Sequence, residues 1–64
     1  MKKKELKELA TRIITCEDII ETSNDEKEIE KAKNEILKLT KKIESLGDML
    51  ELDAFIQEQL ENKT

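Results

Sequence analysis

Apolar side chains recur every three or four residues along most of this 64-residue chain. The first series is Leu6, Leu9, Ile13, Cys16 and Ile20, and the second is Ile29, Ala32, Ile36, Leu39, Ile43, Leu46 and Leu50. This spacing is the coiled-coil heptad, which places apolar side chains on one stripe of an α-helix. It predicts an all-α fold, because buried side chains of a β-strand recur at every second residue.

A polar stretch, "ETSNDEKE", separates the two series and predicts a turn between two helices. Within it, Ser23 and Asp25 are each followed three residues later by a glutamate, the signature of a capping box at a helix start. We therefore predict helices over about 3–22 and 25–46. Because the link is short, the two helices form an antiparallel hairpin.

The single glycine, Gly47, marks a second change of pattern, and the chain has no proline. Beyond Gly47 the heptad would place polar residues on the apolar stripe, whereas a shifted stripe that starts at Met49 is apolar. Glycine directly after a helix is a common C-terminal cap, and Asp48 with Glu51 forms a further capping box. We predict that the second helix ends at Gly47 and that a third, about 49–62, folds back on the hairpin. The alternative is one continuous helix whose far end packs on another subunit.

The chain is long enough for one domain at most, and a compact chain of this size buries only about 60% of its unfolded surface. We therefore predict a single helical domain over residues 1–64, either a three-helix bundle or a dimer of hairpins. A contact between two helices alone leaves three large apolar residues uncovered. They are Ile14, Ile19 and Leu37. A third helix or a second subunit must cover them.

The composition excludes most catalytic and metal-binding chemistry within one chain. There is no histidine, one cysteine and one glycine. Ser-His and Cys-His pairs, histidine-rich zinc sites and glycine-rich phosphate loops therefore cannot be built. We expect no catalytic residue, no metal and no cofactor, and we interpret the many carboxylate pairs as solvated helix surface. The sequence thus favours a protein that is not an enzyme.

Cys16 is predicted to be a buried thiol of low reactivity, since it lies on the first apolar stripe. Its acidic neighbours Glu17 and Asp18 would raise the thiol pKa and oppose reactivity. One unpaired cysteine suits a reducing compartment. No apolar run approaches the ~20 residues that span a bilayer. We therefore expect a cytoplasmic protein that does not bind membranes.

Charge is distributed unevenly. Residues 44–64 hold six acidic residues and one basic residue, whereas the net charge of the whole chain is −4. The third helix is therefore predicted to be acidic. The second helix carries a set of lysines that would be the phosphate contacts of a nucleic-acid-binding protein. They are Lys27, Lys31, Lys38, Lys41 and Lys42. Interleaved glutamates neutralise that helix, so nucleic acid is the less favoured partner.

The segment "ELDAFI", residues 51–56, resembles part of the Ser-Gln-Glu-Leu-Asp motif of short helical-hairpin sporulation phosphatases. Met49 and Leu50 stand at the serine and glutamine positions of that motif. The polar residues that would carry the activity are absent, so the resemblance transfers no function. The length and helix pattern are also similar, in architecture alone, to the RNA-binding hairpin dimers that control plasmid copy number.

The sequence favours a non-enzymatic protein–protein interaction module, such as a small regulator, adaptor or phage-type accessory protein. It would act through an apolar and acidic helix face, and we expect a homo-oligomer, most simply a dimer. The alternative is a homodimeric hairpin that binds nucleic acid. The predicted partner-binding residues are Met49, Leu50, Leu52, Asp53, Phe55, Ile56 and Leu60. If the third helix folds back, most of its apolar stripe enters the core and mainly Leu50 and an acidic edge remain exposed.

Overall fold

Three α-helices make up nearly all of residues 1–62, the part of the chain that the computed structural model describes. α1 spans Lys3–Thr22, α2 spans Glu26–Lys41 and α3 spans Leu46–Asn62. The predicted all-α class, with a hairpin and a third helix folded back on it, is confirmed. α1 has the predicted bounds, whereas the turn between α2 and α3 lies earlier in the chain than predicted.

The link between α1 and α2 is closed by side-chain hydrogen bonds. Asp25 caps α2, because its Oδ1 accepts a hydrogen bond from the Lys27 amide at 3.0 Å. Ser23 Oγ accepts from the Asp25 amide at 3.1 Å and donates to Glu28 Oε2 at 2.9 Å. Asp25, the first residue of one predicted capping box, is therefore the N-cap of α2. The reciprocal bond of that box is not formed, because the Glu28 carboxylate accepts from Ser23 and not from the Asp25 amide.

α2 ends at Lys41, not near residue 46 as the heptad predicted. The Ile43 amide donates to the Thr40 carbonyl at 3.1 Å, a three-residue spacing that tightens and ends the helix. The reason lies in α1. Ile43 and Leu6 belong to the same core cluster, so in an antiparallel hairpin the next stripe residue, Leu46, would pass the polar start of α1. A longer α2 would bury no further apolar surface there, and the chain turns back.

Gly47 lies within the first turn of α3, so the prediction that it caps α2 is wrong. Its φ is not positive, and the Met49 amide donates to the Ser45 carbonyl at 3.1 Å, closing the turn around it. Ser45 and Asp48 form a capping signature of their own, three residues before the predicted box. The apolar pattern does change near Gly47, but the turn between α2 and α3 is formed by the residues that precede Gly47.

α3 runs in the same direction as α1 and antiparallel to α2. Each of three contacts joins residues 47 or 48 positions apart, in order along both helices. They are the Met1 amino group to Asp48 Oδ2 at 3.2 Å, Lys7 Nζ to the Phe55 ring centroid at 5.6 Å, and Thr11 Oγ1 donating to Gln59 Oε1 at 3.2 Å. α3 therefore lies along α1 with no shift in register.

The hydrophobic core is centred on α1. Its buried members are Leu6, Leu9, Ala10 and Ile13 from α1, Leu39 and Ile43 from the α2 side, and Leu52 from α3. Ile36, Phe55 and Ile56 pack against this cluster and are half-buried. Ile14, Cys16 and Ala32 are also buried, towards the hairpin turn. α1 thus contributes more of the core than either neighbour.

The three helices form an open arrangement and not a closed triangle. α1 packs against α2 and against α3, whereas within residues 1–62 no Cα of α2 lies within 8 Å of a Cα of α3. The molecule measures 34 × 28 × 15 Å, and its radius of gyration is 12.1 Å. A compact domain of this length has a radius of gyration of about 10.7 Å. α2 and α3 therefore stand apart on either flank of α1.

Candidate protein-binding groove

A groove lies between α2 and α3, with α1 as its floor; we call it the α2–α3 groove. Its volume is about 320 Å³. Ile13 and Glu17 form the floor, Ile36 and Thr40 form the α2 wall, and α3 supplies the other wall. The α3 wall consists of Met49, Leu50, Leu52, Asp53 and Ile56. More than half of these lining residues are apolar, which distinguishes the groove from the charged remainder of the surface.

The spacing of apolar residues on α1 explains why the groove exists. One flank carries Leu9 and Cys16, which share surface depressions with residues of α2. The other flank carries Ala10 and Ile14, one turn apart and on the side of Lys7, which contacts α3. Ile13 lies between the two flanks. Because α2 and α3 dock on opposite flanks, the stripe through Ile13 lies at the bottom of the gap between them, and Ile13 itself is only 4% exposed.

α3 exposes far more apolar surface than its docking on α1 requires. Leu52 is its one fully buried residue within the described chain. Leu46 is 77% exposed and Leu50 is 65% exposed, and Met49 and Leu60 are also exposed. Such residues, clustered on one side of a helix, form the kind of contiguous apolar patch that marks an interaction surface.

The groove carries negative charge. The charged residues among those that line it are Glu17 and Asp53, both carboxylates. α3 holds five acidic residues and no basic ones. An apolar groove with one carboxylate on its floor and one on its α3 wall is complementary to an amphipathic helix whose apolar face is flanked by lysine or arginine.

Five of the seven predicted partner-binding residues line this groove, and two do not. Phe55 faces the opposite side of α3, where Lys7 lies over its ring, and it is half-buried there. Leu60 lies one turn beyond Ile56 on the same side of α3 and is exposed, outside the residues that line the groove. The expectation that folding back would bury Met49 and Leu60 is wrong.

Four lining residues were missed by sequence reasoning: Ile13, Glu17, Ile36 and Thr40. Ile13 and Ile36 were assigned to the closed contact between the first two helices, and both do pack in or against the core. Ile13 and Ile36 also line the groove, because the third helix docks on the far flank of α1 and leaves a gap between itself and α2. No residue pattern signals this, since it depends on where α3 packs.

Cys16 is a free, buried thiol at the contact between α1 and α2. Burial raises the pKa of the Cys16 thiol, and the carboxylate of Glu35 on α2 raises it further. The predicted direction is confirmed, but the causes differ, because the prediction named Glu17 and Asp18. A thiol with a raised pKa holds little nucleophilic thiolate at neutral pH. Cys16 therefore acts as a small apolar residue opposite Ala32.

Comparison with protein-family models, curated proteins and solved structures gives no match. Within residues 1–62, no helix is long and apolar enough to cross a membrane, and no three metal-ligating side chains converge. The groove therefore stands as the candidate functional site on its own geometry and charge.

Proposed function

We propose that this chain is a non-enzymatic protein–protein interaction module that binds one amphipathic helix in the α2–α3 groove. The observation that carries the proposal is the surplus of exposed apolar residues along one wall of a groove that α1 leaves open. Helix-in-groove binding uses anchors spaced by three or four residues, and such anchors fit a trough between two helices.

The dimensions support a helix as the ligand. α3 lines the groove from Met49 to Ile56, which corresponds to about 11 Å at 1.5 Å per residue. A bound helix would contact this wall over about two turns, with apolar residues over Ile13 and Ile36. Basic residues on its flanks would face Glu17 and Asp53. The groove holds no histidine and no cysteine, and we assign it no catalytic role.

We place this activity in the cytoplasm. The free Cys16 thiol stays reduced there. A small regulator or adaptor that acts through a single helix-binding face suits the size of the chain. The expected partner is a protein.

Site-specific photocrosslinking in cells of the source organism tests this proposal. A photoreactive phenylalanine analogue in place of Leu50 would lie on the groove wall, and the same analogue in place of the exposed Glu58, on the Phe55 side of α3, provides a control on the same helix. We expect a protein adduct from position 50 that is absent or much weaker at position 58. Equal adducts at both positions, or none at position 50, would contradict the proposal.

Nucleic-acid binding is a second candidate, and one observation favours it. Lys27, Lys31, Lys38 and Lys42 follow one another at four- and seven-residue spacing, which places them on one side of α2. Lys31 and Lys42 line depressions on the side of the α1–α2 contact that faces away from the groove. Glu28 shares the first of these depressions, which weakens the positive potential.

A mobility-shift assay separates the two candidates. Nucleic-acid binding through these lysines predicts retarded RNA or DNA whose apparent Kd rises steeply between 50 and 200 mM salt. Replacing Lys31 and Lys38 with glutamine should then weaken binding, whereas Leu50→Glu should leave it unchanged. No shift at low salt would remove this candidate.

A further inference from the structure

We infer that the helix that fills the α2–α3 groove is α2 of a second copy of this chain. The inference rests on the proposed function, since it names the partner of the same site. Each copy would insert α2 into the groove of the other, so the two copies are related by a two-fold axis.

The inserted surface is an edge of α2 that the monomer leaves uncovered; we call it the α2 edge. It consists of Lys33, Leu37 and Lys41, spaced by four residues and therefore stacked one turn apart. Leu37 is 58% exposed, the one large apolar side chain of α2 left so exposed. The α2 edge thus offers the groove one apolar anchor, with a lysine one turn before it and one turn after it.

Charge complements this arrangement. Lys33 and Lys41 would flank Leu37 as it enters a groove whose charged lining residues are Glu17 and Asp53. Pairing α3 with α3 of the second copy would instead place two helices of five acidic residues each side by side. Like charges at an interface oppose association, so an α2-to-groove dimer is favoured over an α3-to-α3 dimer.

The position of the α2 edge fits a reciprocal contact. Leu37 lies three residues before Thr40, which lines the groove, so the edge continues the α2 wall outward to its rim. When α2 of one copy enters the partner's groove, the same helix also forms the α2 wall of its own groove, which the partner's α2 occupies. The two α2 helices then lie side by side at the two-fold axis, and both grooves are filled at once.

The surface area agrees with one such interface. The chain exposes 5109 Å², whereas a compact monomer of 7.5 kDa exposes about 4250 Å². The excess is about 860 Å². A stable protein–protein interface of standard size buries roughly 800 Å² on each partner. One two-fold contact would therefore bring the exposed surface of each copy to the expected range.

Sedimentation equilibrium of the purified chain from micromolar to millimolar concentration gives the first test. We expect a particle of twice the 7.5 kDa chain mass. Leu37→Glu and Leu50→Glu should each raise the dimer Kd at least tenfold. The controls Thr15→Glu and Asn62→Glu add the same charge to exposed positions of α1 and α3 outside the groove and the α2 edge, and they should leave Kd within about threefold. Circular dichroism checks that each variant remains helical.

A charge exchange tests the predicted pairing directly. One variant carries Lys33→Glu with Lys41→Glu, and the other carries Glu17→Lys with Asp53→Lys. Each alone should be mainly monomeric, because like charges then meet at both halves of the interface. An equimolar mixture should form a heterodimer, because both halves become complementary again.

Three results would overturn the inference: a wild-type chain that stays monomeric at millimolar concentration, a dimer indifferent to Leu37→Glu, or a mixture that does not associate. Photocrosslinking at Leu50 then separates this failure from failure of the proposed function. A monomeric chain that still crosslinks to a different protein through position 50 retains the proposed function. A chain that does neither loses both.

Discussion

α2 and α3 pack on opposite flanks of the same helix, yet they use their apolar residues differently. The apolar stripe of α2 runs from Ile29 to Leu39 and is buried or half-buried along its length. Leu37, which lies outside this stripe, is exposed. α3 buries Leu52 against α1 and leaves four large apolar side chains exposed, all on one side. α2 carries five lysines against four glutamates, whereas α3 carries no basic residue.

Under the proposed function, α3 is the helix that offers spare apolar surface to a partner, whereas α2 mainly stabilises the fold. A helix that only stabilises a fold needs one apolar stripe, and further apolar residues in water contribute nothing to it. α2 fits that description except at the α2 edge. α3 exposes more apolar residues than one stripe requires, and its acidic residues favour a basic partner for that surface. Variants that affect the two helices unequally test this comparison.

Ile13→Asp should abolish cooperative unfolding. Ile13 is buried where both helices meet α1, and an unpaired carboxylate there costs several kcal/mol. A domain of this size has about 3–10 kcal/mol of stability in total. The measurement is thermal unfolding followed by circular dichroism, with the exposed position Thr15→Asp as control on the same helix. A cooperative transition retained in Ile13→Asp would mean that α1 is not the centre of the core.

Leu39→Ala and Leu52→Ala compare the two contacts of α1 directly, because both side chains are 2% exposed. Each should lower the free energy of unfolding by about 2–5 kcal/mol, as core leucines do. Urea denaturation at one fixed protein concentration measures this, and Leu46→Ala at an exposed position should change it by less than about 0.5 kcal/mol. If Leu52→Ala changed the free energy of unfolding as little as Leu46→Ala, α3 would not be docked on α1 through Leu52.

Asp25→Ala should destabilise the protein by about 1 kcal/mol, since the Asp25 carboxylate accepts the Lys27 amide at the start of α2. The neighbouring exposed residue offers a matched control, Asn24→Ala. Thermal unfolding should resolve the two variants. Equal midpoints would show that the cap contributes nothing to the hairpin.

Gly47→Ala should stabilise the protein by about 0.5–1 kcal/mol, because alanine is the better helix former and Gly47 does not adopt a left-handed conformation. A Cβ added there would lie 3.6 Å from Ser45 Oγ, an ordinary van der Waals contact. The midpoint should rise by about 2–8 °C. The reverse change on the same helix, Ala54→Gly, should lower it. A lower midpoint for Gly47→Ala would return Gly47 to the role of a helix cap.

Cys16 makes the α1–α2 contact weakly sensitive to pH. Its pKa is raised in the folded protein by burial and by Glu35, so the neutral thiol is favoured there. Stability is therefore unaffected while the unfolded thiol is also neutral, and it falls as the pH rises above the ordinary thiol pKa of about 8.5. Between pH 7 and 9.5 the midpoint of the wild type should fall more than that of Cys16→Ala. Equal falls in the two midpoints would show that the surroundings of Cys16 do not shift its pKa.

Local periodicity and capping signals were enough to predict α1 and the start of α2. The predicted bounds of α1, about 3–22, match the structure, and Asp25 marks the start of α2 to within one residue. These features could be predicted because a helix stripe and a cap involve residues only a few positions apart. The acidic and apolar character of α3 could also be predicted, since it depends on composition alone.

The tertiary structure alone decided where α2 ends and which apolar residues remain exposed. The heptad continues through Leu46 and Leu50, but α1 offers no apolar surface beyond Leu6 for them to cover. The end of α2 was therefore set by the length of its partner and not by Gly47. In the same way, Ile13 and Ile36 acquired a surface in the groove because α3 docks on the far flank of α1. Burial is a property of pairs of helices, so a stripe read along one helix cannot show which of its residues a neighbour will cover.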